Sequence, residues 1–365
     1  ITMPMVFVAV GFVLGPGGTG LLPIDPEAAS VKVIIEVTLA LLLFADASTL
    51  SLAQVRRDAA LPARLLVVSV LIIALGAAVS LGLFPAEGLA FAALIGTILA
   101  PTDAALGMAI FSNPKVPTRI RRALNVESGF NDGIAAPFVT LFVAFAVSQE
   151  AGQENWLAET VAEIGFALLI GVVVGVAGGW VLQQAAQRGW TAPSTEQFAV
   201  LGLALASYFS AVAIHGNGFI AAFIAGLFFA SVTKERFHEP TEFTESLSSF
   251  LSLAIWIIFG AVLVDEAFAF TSDWRPITYA VLSLTIVRMI PVAVSMLGTG
   301  LRTDTVLMMG WFGPRGLASV VFTLLALIRF EAALLLGELL RLELVPVDRA
   351  VPLGVDEIPL GVAVE

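Results

Sequence analysis

The sequence predicts an all-α polytopic membrane protein, and three observations carry that prediction. Of 365 residues, 58% are hydrophobic and only 13% charged, against roughly a quarter charged in soluble domains. Mean hydropathy is +0.97. Apolar stretches recur along the chain between short connections carrying Gly, Pro or clustered charge, and a span needs only ~20 such residues. Composition excludes other classes. Without cysteine there is no thiolate nucleophile, iron–sulfur cluster, Cys-zinc site or disulfide. Two histidines, His215 and His238, are too few for a histidine-rich metal site. A net charge of −11 argues against a nucleic-acid partner, which calls for a clustered basic patch.

Hydropathy places apolar segments at about 4–15, 31–47, 63–84, 88–112, 117–147, 157–185, 196–214, 217–233, 247–268, 276–297 and 303–329, which makes about eleven transmembrane helices. The first ends at Gly15-Pro16-Gly17-Gly18-Thr19-Gly20, a turn that matches a dinucleotide fingerprint by letters but lies in no βαβ unit. Pro62, Pro85, Asn113-Pro114, Pro193, Gly216 to Gly218, Pro240 and Pro276 punctuate the rest. Gly171, Gly175 and Gly179 form two GxxxG steps in the sixth segment, read as internal packing. The first segment lacks the basic n-region and cleavage site of a signal peptide, and the N-terminus, without initiator Met, is read as truncated. Beyond 329 the chain is apolar but broken by Pro346, Asp348, Pro352, Glu357 and Pro359. The expected division is therefore a transmembrane exchanger domain over 1–329 and an irregular tail over 330–365. Eleven loop Lys and Arg, from Arg56 to Arg302, fall on one side, against Lys32, Arg275 and Arg329 on the other. The positive-inside rule puts loops 48–62, 113–122, 185–196, 232–246 and 298–304 in the cytoplasm.

A charge at the bilayer centre costs from ~2.5 to above 10 kcal/mol, so each one marks a pathway or a partner. Asp132 lies ten residues past Arg122, about 15 Å along a helix and half of the ~30 Å hydrocarbon thickness. Similar counts put Asp103, Arg288 and Arg315 near mid-depth, with Glu127 one turn nearer the cytoplasm. Within Glu127-Ser128-Gly129-Phe130-Asn131-Asp132, Glu127 stacks with Asn131 and Ser128 with Asp132 at i,i+4 spacing. The Ser128 and Asp132 stripe offers hydroxyl and carboxylate oxygens, the ligands a hard cation such as sodium takes. Glu127 needs a counter-charge instead.

Two segments carry breakers where a span should be smooth: Ala100-Pro101-Thr102-Asp103 in the fourth, and Gly310-Trp311-Phe312-Gly313-Pro314-Arg315-Gly316 in the eleventh. Both are expected to unwind at mid-depth. Proline removes a backbone hydrogen bond and clashes with the preceding turn, and freed carbonyls are tolerated only beside a cavity. Discontinuous helices at corresponding places in two halves point to a transporter's binding site and to an inverted repeat.

The stretches Ala100 to Ala104, Glu127 to Asp132, Arg288 and Gly313 to Gly316 resemble the monovalent cation/proton antiporters, the sodium/proton exchanger branch with an Asn-Asp motif, over about residues 4–329. The resemblance implies an inverted-repeat antiporter fold with two discontinuous crossing helices. It implies that Asp132 binds sodium or a proton in turn, with Thr102, Asp103 and Ser128 completing the cation shell. It further implies Glu127 paired with Arg288 and braced by Asn131, and Arg315 as a structural cation between the crossed half-helices. Asn rather than Asp at position 131 is, in that family, the mark of electroneutral exchange. A homodimer follows from the same resemblance. The family pattern carries one more helix at each end, so the first and last are expected to be missing here.

Other readings of these residues stay open in the sequence. Asp103 suits the N-cap of the half-helix that follows it. Glu127 with Arg288 reads as a structural ion pair rather than a transport ligand. Asp46 reads as an interfacial helix end or as a gate, and His215 as a loop histidine or a pH sensor. The expected activity is sodium/proton exchange in the inner (plasma) membrane for pH and sodium homeostasis, with no cofactor and no enzymatic chemistry. Potassium or lithium are alternative cations, and a cation channel built from the same oxygens is the rival. With no H-E-x-x-H or G-x-S-x-G motif, a membrane enzyme would have to rest on aspartates alone.

Overall fold

The computed structural model describes residues 2–343 apart from 27, 51–59, 104–115, 152–153, 234–235 and 270–272. Expectations that fall on Arg56, Arg57, the half-helix after Asp103 with Ala104, Asn113-Pro114 and Lys115, Lys234 and the 344–365 part of the tail lie outside the described residues. The regular elements are helices: α1 Met3–Leu14, α2 Ala29–Thr49, α3 Ala60–Leu83, a 3-10 turn Pro85–Glu87, α4 Gly88–Ile98, α5 Thr118–Ala151, α6 Trp156–Gln187 and α7 Pro193–Ala213. They continue as α8 Gly218–Thr233, α9 His238–Ala269, α10 Trp274–Leu284, α11 Ile286–Ser295, α12 Thr303–Trp311 and α13 Leu317–Glu343.

The eleven apolar segments do not all become continuous membrane-length helices. Among the described residues five helical stretches are long and apolar enough to cross: Val126–Gln149, Trp156–Gln187, Pro193–Ala213, Glu239–Val264 and Trp274–Ser295. Val67–Leu83 and Pro85–Ile98, bent by 108° at their junction, make a sixth candidate. The shortfall has readable causes. Helix α2 carries Lys32, Glu36 and Asp46 along its length, α8 has only 16 residues, α4 stops at Ile98 just before Pro101, and the eleventh segment is split between Trp311 and Leu317. The last helix also runs on to Glu343, well past the expected end at 329.

Packing divides the helices into two bundles. One holds α1, α2, α6, α7, α8 and α9; the other holds α3, α4, α5, α10, α11, α12 and α13. Small residues set the closest approaches. Gly171 and Gly175 face α8, where a Cβ on Gly171 would lie 2.7 Å from the Ile224 side chain and one on Gly175 would strike the Ala225 carbonyl. That glycine stripe therefore packs inside the chain. Helix α5 lies where the bundles meet. It packs on α3, α4 and α13 and also touches α2, α6 and α8. Its Ile120 and Leu124 join one apolar cluster while Val139 and Val143 join the other. The stretch between those pairs carries the polar residues.

Candidate cation site

Glu127, Ser128, Asn131 and Asp132 on α5 are all buried, at 1% to 5% exposure. The i,i+4 spacing turns them toward the stretch after α4, where Pro101, Thr102 and Asp103 are non-helical. Ser128 Oγ donates to the Thr102 carbonyl. Asn131 Nδ2 donates to Thr102 Oγ1 at 3.1 Å and to Glu127 Oε1 at 3.4 Å, and its Oδ1 accepts from Ser69 Oγ on α3. Asp132 differs from its neighbours. Its Oδ1 is buried and has no hydrogen-bond partner among the described residues. Folded chains rarely tolerate such an orphan oxygen without a functional reason.

The non-helical stretch 101–103 meets the break between α12 and α13 here. Asp103 N donates to the Pro314 carbonyl at 3.0 Å, and Leu317 N, in the first turn of α13, donates to Asp103 Oδ2 at 3.3 Å. Asp103 thus serves the start of α13, where a carboxylate meets free amides and the positive end of the helix dipole. Gly316 makes this approach possible, since a Cβ there would overlap the Asp103 carboxylate. Arg315 Nη1 donates to the carbonyls of Ala100 and Pro101 at 3.2 and 3.3 Å, and Nη2 to that of Ser283 at 3.0 Å. The guanidinium therefore sits on carbonyls left at helix ends, the negative poles of α4 and α10.

Glu127 and Arg288, each 1% exposed, form a two-pronged pair with Nη1 to Oε1 at 3.1 Å and Nη2 to Oε2 at 3.4 Å. Nη2 also reaches the Phe312 carbonyl at 2.9 Å. Arg288 gains its position from a third interruption that the sequence reading did not contain. The expected span 276–297 breaks at Thr285, at φ −113° and ψ −91°, which separates α10 from α11 and leaves the Ser283 carbonyl to Arg315. A cavity of about 10 Å³, near the lower limit for one water, lies among Thr102, Asp103, Glu127, Ser128 and Arg288.

Asp46 belongs to the site as well. It lies in the last turn of α2, and its carboxylate and that of Asp103 are near enough to Asp132 to repel its charge. Glu245 of α9 acts on Asp46 in turn. On the side of the 232–246 loop, which the positive-inside count expects to be cytoplasmic, a cavity of about 230 Å³ is lined by Ser48, Thr49, Thr241, Glu242 and Glu245. On the other side a cavity of about 490 Å³, with Glu36, Glu163, Asn217 and Arg329 in its walls, descends to Ala136, one helical turn from Asp132. His215, at φ 60° in the α7 to α8 turn, lines this outer cavity and its neighbour. Asn217, which the sequence marked only as part of a glycine-flanked turn, holds that region together. Its Nδ2 donates to Thr140 Oγ1 at 2.7 Å and Glu163 Oε1 at 3.2 Å.

Residues 1–339 match the family model described as sodium/hydrogen exchanger, transmembrane. The Na(+)/H(+) antiporter ApNhaP of Aphanothece halophytica is 25% identical over 326 residues, covering 84% of this chain and 60% of that protein. The K(+)/H(+) antiporter NhaP2 of Shewanella sp. (strain MR-4) is 23% identical over 73% of this chain and 46% of its own length. The chain thus spans about half the length of the curated relatives it matches. The solved structure of the sodium proton antiporter MjNhaP1 from Methanocaldococcus jannaschii at pH 8 shares the fold, with a TM-score of 0.71 and 18% identity over 90% of this chain and 80% of that one. With the motif residues gathered where the 101–103 stretch meets the break before α13, and the family model spanning nearly the full sequence, the chain belongs to the transmembrane sodium/hydrogen exchanger family.

Proposed function

We propose that this protein exchanges an alkali cation, sodium in the first instance, for protons across the inner (plasma) membrane, serving pH and sodium homeostasis. The observation that carries the proposal is the Asp132 oxygen, buried and without a hydrogen-bond partner among the described residues, on the same helix face as Ser128. Ser128 gives its hydrogen to Thr102, so its oxygen keeps lone pairs for a cation. Asp132, Ser128, Thr102 and Asp103 form the shell, all oxygen donors as a hard cation requires. A proton or a cation on Asp132 excludes the other, because each neutralises the same carboxylate. If only the two loaded states cross, that competition becomes obligatory exchange.

Charge balance supports electroneutral stoichiometry. Glu127 and Arg288 cancel each other at 3.1 Å, and Asn131 adds no charge where a second carboxylate would. Asp132 is then the group whose load changes during the cycle. The cytoplasmic cavity with Glu242 and Glu245, followed by Asp46, supplies an acidic approach for cations. A homodimer is part of this reading by family likeness.

Everted vesicles loaded with a pH-reporting dye test the proposal. Sodium added to wild type should dissipate an imposed proton gradient saturably, and Asp132→Asn should abolish the response. Retained exchange in Asp132→Asn would refute the assignment, and single-channel currents would replace it with a channel. Potassium is the second reading, favoured by the relatives named K(+)/H(+) antiporter NhaP2. The same assay with potassium and lithium ranks the cations.

A further inference from the structure

Asn131 has a carboxylate on one side and hydroxyls on two others, so the direction of its amide decides the hydrogen-bond pattern of the whole site. An amide offers two donors at nitrogen and an acceptor at oxygen. Here nitrogen serves Glu127 Oε1 and Thr102 Oγ1, and oxygen receives Ser69 Oγ. Turned over, the amide would press its oxygen on the Glu127 carboxylate and its N–H groups on Ser69. Ser69 is 2% exposed on α3, among the apolar Val68 and Ile72. It comes from a different helix than any residue of the cation shell, and it is not adjacent to Asp132 in sequence or on a shared helix face.

We propose that Ser69 is a positioning residue of the cation site: its hydroxyl holds the Asn131 amide so that one N–H stays on Thr102 and the other on Glu127, which fixes the shell around Asp132. The inference rests on the antiport reading above and adds a residue to it. Ser69 acts through Asn131 and never touches the cation. Without its hydroxyl, Oδ1 becomes a buried acceptor lacking this donor, and the amide gains freedom to rotate. Thr102 Oγ1 then loses the N–H that orients it. Cation affinity falls while the carboxylate that carries the load is still present. Turnover at saturating cation should therefore survive.

The test uses the full chain in everted vesicles, with sodium as the probe and wild type, Ser69→Ala, Ser69→Thr and Asn131→Ala compared at several pH values. Ser69→Ala should raise the apparent KM for sodium roughly tenfold, the size expected for one net buried hydrogen bond, with the maximal rate within about twofold. Ser69→Thr, which retains the hydroxyl, should restore most of the affinity. Because Ser69 works through Asn131, the double variant Ser69→Ala/Asn131→Ala should be little worse than Asn131→Ala alone. An unchanged KM in Ser69→Ala, an equal loss of rate at all sodium concentrations, or additive effects in the double variant overturn the proposal. Ser69→Cys, of similar shape with a weaker donor, carries the same comparison if Ser69→Ala does not accumulate. A wild type with no cation-driven proton movement defeats the antiport reading itself, whereas an active wild type with an indifferent Ser69→Ala defeats only this inference.

Discussion

Arg288 brings five guanidinium N–H groups into a place where it is 1% exposed, and Glu127 and the Phe312 carbonyl take the terminal ones. Its Nε has no hydrogen-bond partner among the described residues, which makes the remaining bonds matter more. Removing one side of a buried pair strands the other charge and costs about 3–5 kcal/mol. Glu127→Gln should therefore lower the thermal midpoint of the purified protein far more than it changes the sodium KM of whatever protein folds. Thermal unfolding in detergent beside vesicle transport checks both halves. Gly313→Ala should do comparable harm, because a Cβ there overlaps the Arg288 side chain; a variant with wild-type melting would contradict this packing. Residues joined along one helix were legible in the sequence, since spacing alone places Ser128 with Asp132 and Glu127 with Asn131. Ser69 and Asp46 were not. A serine or aspartate on an apolar helix looks the same whether it faces a site or a helix end, and only packing between helices decides.

Helix interruptions show the same division between local and tertiary causes. Pro101 and the Gly313-Pro314 pair mark two of the breaks chemically, because proline removes a backbone donor and glycine accepts close contact. The break at Thr285 has no such mark. There the Ser283 carbonyl accepts from Arg315, a residue 32 positions away that no local pattern announces. Helix α8 has a strong start of its own. Asn217 Oδ1 accepts from Phe219 N at 3.0 Å and Ile220 N at 3.1 Å, satisfying amides that the first turn leaves unpaired. Asn217→Ala should cost about 0.5–2 kcal/mol for the cap alone, with more from the lost bonds to Thr140 and Glu163. Asn217→Ser, a good cap without the amide donor, should recover the cap and leave those bonds broken. Melting curves of the three proteins separate the two contributions, and equal midpoints for Ala and Ser would show that the cap carries none of the stability.

At the scale of the molecule, hydropathy and proline placement indicated a helical membrane protein with two broken segments, yet they held no information about which helices share a bundle. That partition bears directly on exchange. The outer cavity has walls from both bundles, Thr140 on α5 and Arg329 on α13 facing Glu163 on α6 and the Asn217 turn. Two polar contacts span it: Asn217 to Thr140 at 2.7 Å and Arg329 to Glu163 at 3.9 Å. If access to Asp132 alternates, the bundles must shift against each other, and the contact between Thr140 and Asn217 must stretch or slide in each cycle. The sequence contains no cysteine, so a Thr140→Cys/Asn217→Cys pair can be bridged by oxidation or a short thiol crosslinker without side reactions. Bridging should stop cation-driven proton flux, and reduction of the disulfide should restore it. Each single variant should stay active under the same oxidant. Continued exchange by fully bridged protein would mean that the bundles do not separate at this end, and that the outer cavity reaches Asp132 by side-chain motion within one static frame.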